Sequence, residues 1–272
     1  MKTRMTLSIL TLFLSATTHA GVVIEYVKRN AATGKEEPAR SMWIQNGMAR
    51  IEASQAQRSI ASIFKNDTLY TLDGARKSYL VMDKATIDQT ATTMDAAMAT
   101  MREKLASMPP EQRAAMEQMM KQRGLGGGAM TGAPQKPAVY DAEPTGAGET
   151  VNGKSCKLWN VKRDGVLTQQ LCVVPLSAMP GADEVMALGK QMMALFEKFG
   201  GVMREQMAAV MQESNAAMTK INGYPIMTRA YHDGVVAEDQ YIVKAWKQQA
   251  IDAAKFEIPA DYTKQEIPKM SR

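Results

Sequence analysis

Six Asn-Gly or Asp-Gly pairs punctuate this 272-residue chain: Asn46-Gly47, Asp73-Gly74, Asn152-Gly153, Asp164-Gly165, Asn222-Gly223 and Asp233-Gly234. Asn, Asp and Gly accept the positive φ that tight hairpin turns demand, so each pair predicts a reversal between antiparallel strands. Short alternating runs flank them at 21–28, 40–45, 48–53, 59–64, 68–72 and 78–82. Strand character resumes at Val139-Tyr140, 157–161 and 166–171, then at 226–231 and 235–245. Phe256-Glu257-Ile258 reads as a last short strand before Pro259. The expectation is an α+β fold, mostly antiparallel sheet, with helices inserted as blocks and lying across it.

The first block spans 85–108 and stops at Pro109-Pro110, because proline is tolerated in a first turn but not inside a helix. A second helix opens there, passes Met116, Met119 and Met120, and ends near Gly124. Residues 124–137 hold five glycines and two prolines, the composition of a flexible linker. Another helical block lies between Pro180-Gly181 and Asn222-Gly223. Both blocks carry methionine stripes, and the chain has 23 methionines in all. Met94, Met98, Met101, Leu105 and Met108 recur at helical spacing, as do Leu188, Met192, Leu195, Phe199, Met203, Met207 and Met211. An amphipathic stripe ordinarily packs as core. Methionine also adapts to irregular apolar partners, which suits a binding surface.

The first 20 residues have the form of a secretory signal. Lys2 and Arg4 precede an apolar run at 7–14, and Thr18-His19-Ala20 offers a cleavage site after Ala20. The run is too short to span a bilayer. The expectation is a periplasmic protein that does not cross the membrane. Loss of Lys2 and Arg4 takes the formal charge from +5 to about +3, too mild to indicate nucleic acid.

Export permits a disulfide between Cys156 and Cys172. If Arg163-Asp164-Gly165 form a hairpin loop, Lys162 pairs with Val166, and counting outward sets Cys156 opposite Cys172. Such a bridge stabilises by about 3 kcal/mol in the chain-entropy account. A metal site at these cysteines is the weaker reading, because the spacing fits no zinc pattern and His232 is the one histidine outside the expected signal.

The segments Thr150–Cys156, Leu171-Cys172-Val173, Ile221–Pro225 and Phe256–Pro259 before Tyr262 resemble a family of exported bacterial proteins of unknown function. That family is similar in plan to the LolA/LolB lipoprotein-carrier and RseB-like superfamily. The resemblance implies a single domain over 21–272 with helical insertions at 84–123 and 182–219. It implies a curved sheet forming an incomplete barrel, with the methionine-rich helices packed on its open, concave side and an apolar cavity between. Trp43, Ile51, Tyr70, Tyr79, Met98 and Met101 are expected to line that cavity, with Trp159, Met192, Phe196, Met203 and Met207. Separately, Met108-Pro109-Pro110-Glu111-Gln112-Arg113 looks like the helix starts of Spy-like periplasmic chaperones, a phrase that plain helix-opening chemistry also produces.

The chain carries no Gly-x-Ser-x-Gly elbow, phosphate loop or His-Glu-x-x-His motif, so it is not expected to be an enzyme or to need a cofactor. The function expected is a carrier for a lipid or other apolar ligand. One alternative is a chaperone or envelope-stress protein with an envelope protein as partner. Another is Cu(I) binding through thioethers such as Met94, Met98, Met101, Met119-Met120 and Met192-Met193, which are soft ligands.

Overall fold

The computed structural model describes residues 20–55, 58–109, 111–112, 139–196 and 220–266. The expected signal, apart from Ala20, lies outside the described residues, as do the 124–137 linker and Met116, Met119, Met120, Met203 and Met207.

Two meanders make one sheet. The first comprises β1 (Gly21–Asn30), β2 (Glu36–Gln45), β3 (Met48–Gln55), β4 (Arg58–Lys65), β5 (Thr68–Asp73) and β6 (Ser78–Met82). After α1 (Lys84–Ser107) the second comprises β7 (Tyr140–Val151), β8 (Lys154–Arg163) and β9 (Val166–Val174). It continues after α2 (Ala182–Phe196) with β10 (Tyr224–His232) and β11 (Val235–Gln249). A final β12 (Thr263–Lys264) completes the order β12-β6-β5-β4-β3-β2-β1-β11-β10-β9-β8-β7. The meanders join where β1 pairs with β11, from Gly21 opposite Gln249 to Asn30 opposite Asp239. The sheet is curved and open, with β12 at one edge and β7 at the other. Its neighbours run antiparallel except for β12, which is parallel to β6.

Four of the six predicted turns hold both residues at positive φ, for example Asn46 at 52° and Gly47 at 71°, Asp164 at 51° and Gly165 at 81°. Asp73-Gly74 works differently. The Asp73 carboxylate accepts from Ala75 N at 3.0 Å and Arg76 N at 3.1 Å, and Lys77 takes the left-handed position. Gly223 serves close approach: a Cβ there would lie 2.4 Å from the Val174 carbonyl oxygen.

The β8–β9 hairpin corrects the predicted register. Its loop has two residues, so Arg163 pairs with Val166, and a further shift follows between Val161 and Lys162. Leu158, not Cys156, therefore stands opposite Cys172. Cys156 lies two residues away on the same face, and the disulfide joins it to Cys172 diagonally across a Cα–Cα distance of 5.4 Å.

Two further readings are corrected. The strand at Val139-Tyr140 extends to Val151, carrying Pro144 and Gly148 through a register shift on the sheet's edge, where an absent ladder donor is tolerated. Phe256-Glu257-Ile258 is not a strand. Phe256 ends a short 3-10 helix (Ala253–Phe256) and is only 1% exposed, so its apolar character reflects an anchor rather than strand alternation.

Asp83 caps α1, its carboxylate accepting from Thr86 N at 2.8 Å, and Ile87 plugs the helix into the core. Val185, Leu188, Met192 and Leu195 form the inward stripe of α2, which packs on β1 and β2. Among the described residues no helix is long and apolar enough to cross a membrane.

The main core lies between α2 and one face of the sheet, reaching from Met82 on β6 to Val151 on β7. The opposite face carries two smaller clusters. One joins Val161, Leu171 and Val173 to Ile221. The other joins Ala61, Ile63 and Leu72 to Ile258 and Tyr262 of the C-terminal segment. Ion pairs fasten that segment: Lys65 with Glu257 at 2.7 Å, Lys77 with Asp261 at 2.9 Å, and Lys255 with Glu52 at 3.1 Å.

Candidate functional site

Residues directly paired across strands share a face, so the register sorts the α2 face into rows. The innermost row runs Val22–Ile44–Ala49–Phe64–Leu69–Met82 across six strands. It is apolar throughout, and its first four members are no more than 2% exposed. The next row runs Ile24–Met42–Ile51–Ser62–Thr71–Leu80. Ile24 is buried under α2, but Met42, Ile51 and Leu80 remain half-buried. The third row, Tyr26–Arg40–Ala53–Ile60–Asp73, mixes apolar residues with charges at Arg40 and Asp73. Between the core row and this mixed rim lies a half-covered strip, apolar at Met42, Ile51 and Leu80, with the small hydroxyl residues Ser62 and Thr71 at its middle.

An aromatic group closes one end. Tyr26 and Tyr224 share a hydrogen bond between their hydroxyls. Tyr224 meets Trp246 edge-on at 4.8 Å between ring centroids, and the Trp246 indole N–H donates to the Pro180 carbonyl at 2.7 Å. Burial, together with the neighbouring Tyr26, pushes the Tyr224 phenol well above its ordinary range. The Arg40 guanidinium sits over the Tyr26 ring, 4.3 Å from its centroid.

Across the other half, the same face turns polar in a single row, Asn160–Gln170–Arg229–Gln240–Arg29. Arg229 donates to both Glu149 carboxylate oxygens, at 2.9 and 2.8 Å, and to Gln170 at 2.9 Å, so its charge is answered within the protein. A depression of about 240 Å³ near the β1–β2 turn is lined by Lys28, Asn30, Thr33, Lys35, Glu37 and Asp239. Its lysines and acids pair with one another, leaving no net charge to offer a ligand.

The described members of the predicted cavity set divide between two faces. Ile51 lies on the strip, and Met192 packs beneath α2 against the main core. Trp43 belongs to the opposite face, in the row Trp43–Arg50–Ile63–Tyr70. Lys255 covers its ring at 3.7 Å. Tyr70 and Tyr79 pack with Ile258 and Tyr262 under the C-terminal segment, and Trp159 packs on the cluster around Val161. Met101 is 41% exposed on α1. The side chains of Met98 and Phe196, like Met203 and Met207, lie outside the described residues. Tyr26, Arg40, Met42, Leu80 and Tyr224 were not among the residues the sequence singled out. Strict alternation in Val22-Ile24-Tyr26 and in Met42-Ile44 was the available signal.

No family model matches the chain, and no curated protein matches it. The crystal structure of an uncharacterized conserved protein from Thermus thermophilus, 7% identical, aligns over 91% of this chain and 90% of its own with a TM-score of 0.41.

Proposed function

We propose that this chain is an exported carrier for a lipid or other apolar ligand, bound on the α2 face of its open sheet in the manner of the LolA-like proteins it resembles. The observation that carries this reading is the half-covered strip, apolar at Met42, Ile51 and Leu80 with Ser62 and Thr71 between, beside a core row whose first four members are sealed. An acyl chain laid there gains about 0.8 kcal/mol per buried CH₂ without needing a specific polar partner. The methionine-rich helices supply adaptable cover on the concave side, and the disulfide fits an oxidising periplasm. A second reading, docking of an envelope protein, draws on α1, where Met101 stands exposed on a helix that meets the sheet at β6.

Native mass spectrometry of protein purified from its own cell envelope, followed by solvent extraction, tests the proposal. A lipid retained near one per chain is the expected result. Protein that emerges empty and fails to take up lipid from vesicles would overturn the carrier reading, and co-purification of a protein partner instead would favour docking.

A further inference from the structure

The strip has a charge at its rim. Arg40 neighbours Met42 along β2 and pairs with Tyr26, so it stands on the same face as the strip. Among the described residues no carboxylate pairs with it. The two acids on its own strand are already engaged, Glu36 by Arg29 and Lys244, and Glu37 by Lys28 and Lys35. Its platform is firm, because Tyr26 is held from behind by Tyr224, and Tyr224 by Trp246. A guanidinium stacked on a ring keeps its in-plane N–H donors free, in the fork geometry that matches a carboxylate.

We infer that this face takes a single-chain anionic amphiphile, a long-chain fatty acid, with its tail running from Met42 and Ile51 over Ser62 and Thr71 to Leu80 and its carboxylate on Arg40. The inference rests on the carrier reading above and names the ligand class for that same site. One half-covered row, flanked by the core row on one side and by the row that carries Arg40 and Asp73 on the other, accommodates one chain. From β2 to β6 the tail crosses four inter-strand steps of roughly 4.8 Å, about 19 Å of path and enough for a long acyl chain. The guanidinium at the start of that path, paired with no carboxylate among the described residues, selects an anionic head over a neutral one.

The test is calorimetric titration of the purified, delipidated protein with oleate and with oleyl alcohol, which share a tail and differ in charge. The wild type is expected to bind oleate at least about tenfold more tightly, the value of a charge-assisted, bidentate contact. Arg40→Gln should abolish that preference while keeping alcohol affinity, and circular dichroism should show an unchanged fold. Should Arg40→Gln fail to fold, Arg40→Lys decides, since it keeps the charge but not the fork: a preference cut several-fold supports the assignment, and a full one overturns it. Equal affinity for both probes in the wild type, or a preference that survives Arg40→Gln, would overturn the anionic assignment and leave the carrier reading standing. Binding of neither probe would remove both.

Discussion

The Tyr224 hydroxyl is bonded to Tyr26, and its ring meets Trp246 edge-on, so a phenolate there would lose much of its hydration. Burial first, and then Tyr26, pushes its pKa well above the ordinary 10.0. The unfolded chain would release this proton near pH 10 while the folded chain would not. The contribution of Tyr224 to stability is therefore whole below pH 10 and is lost as the pH climbs above it. Lys28 and Lys77, raised by Asp239 and Asp261, lose stability in the same direction, but they are present in every variant and cancel in a comparison. Denaturant midpoints at about pH 8 and about pH 11 should thus fall further for wild type than for Tyr224→Phe. Equal falls would mean that the phenol ionises freely in the folded protein.

The β8–β9 hairpin is where an element's chemistry and its register separate. Reducing Cys156–Cys172, which lie 16 residues apart, should cost about 3 kcal/mol. Urea unfolding of the reduced wild type and of Cys156→Ala/Cys172→Ala should show the same midpoint, lowered relative to the oxidised wild type. An unmoved midpoint would mean that the β7–β9 ladders hold the hairpin unaided. The pairing was readable from the sequence because oxidation needs only proximity on one face. Its register was not, since the loop is one residue shorter than expected and a bulge at Val161/Lys162 adds a second offset. The other turns show the same limit. Asn46-Gly47 also makes a two-residue turn, so Gln45 pairs with Met48, and counting back sets Ile51 opposite Met42 and Trp43 opposite Arg50. That parity alone places Trp43 and Ile51 on opposite faces, whereas hydrophobicity groups them. Only the start of β7, at Tyr140, was legible as strand, because Pro144, Gly146 and Gly148 read as loop and only its place at the sheet's edge permits them. The end of α1 was legible, since Pro109-Pro110 exclude further helix, while the Asp83 cap that starts it at Lys84 shows only in the fold.

At the scale of the whole molecule, the sheet treats its two faces differently. The face away from α2 is closed by the chain's own C-terminal segment, which buries Phe256 and pins Trp43 beneath Lys255. Partial burial pushes the Glu52 carboxyl up, but Arg50 and Lys255 outweigh it and leave the group below its ordinary 4.5, so the fastening tightens above acidic pH and slackens as the pH falls. Among the described residues the α2 face is closed mainly by a helix that packs on β1 and β2, so protection is graded row by row rather than all or none. That gradient separates folding from binding. Ile44, in the inner row, is 0% exposed, and Ile44→Asp should abolish folding because an unpaired charge there costs several kcal/mol or more. Ile51, one row outward and half-buried, can turn a carboxylate toward water. Ile51→Asp should therefore keep the wild-type circular dichroism and lose no more than about 1–2 kcal/mol of stability, the lost apolar burial. It should nevertheless shed its ligand, since the new charge stands within the strip beside Met42, where it would repel an anionic head and leave an acyl chain against a carboxylate. The readouts are the unfolding midpoint and the lipid retained on native mass spectrometry. A folded Ile51→Asp that still carries lipid would move the ligand off this strip. An Ile44→Asp that folds normally would show that the inner row is not the core that the sheet is built on.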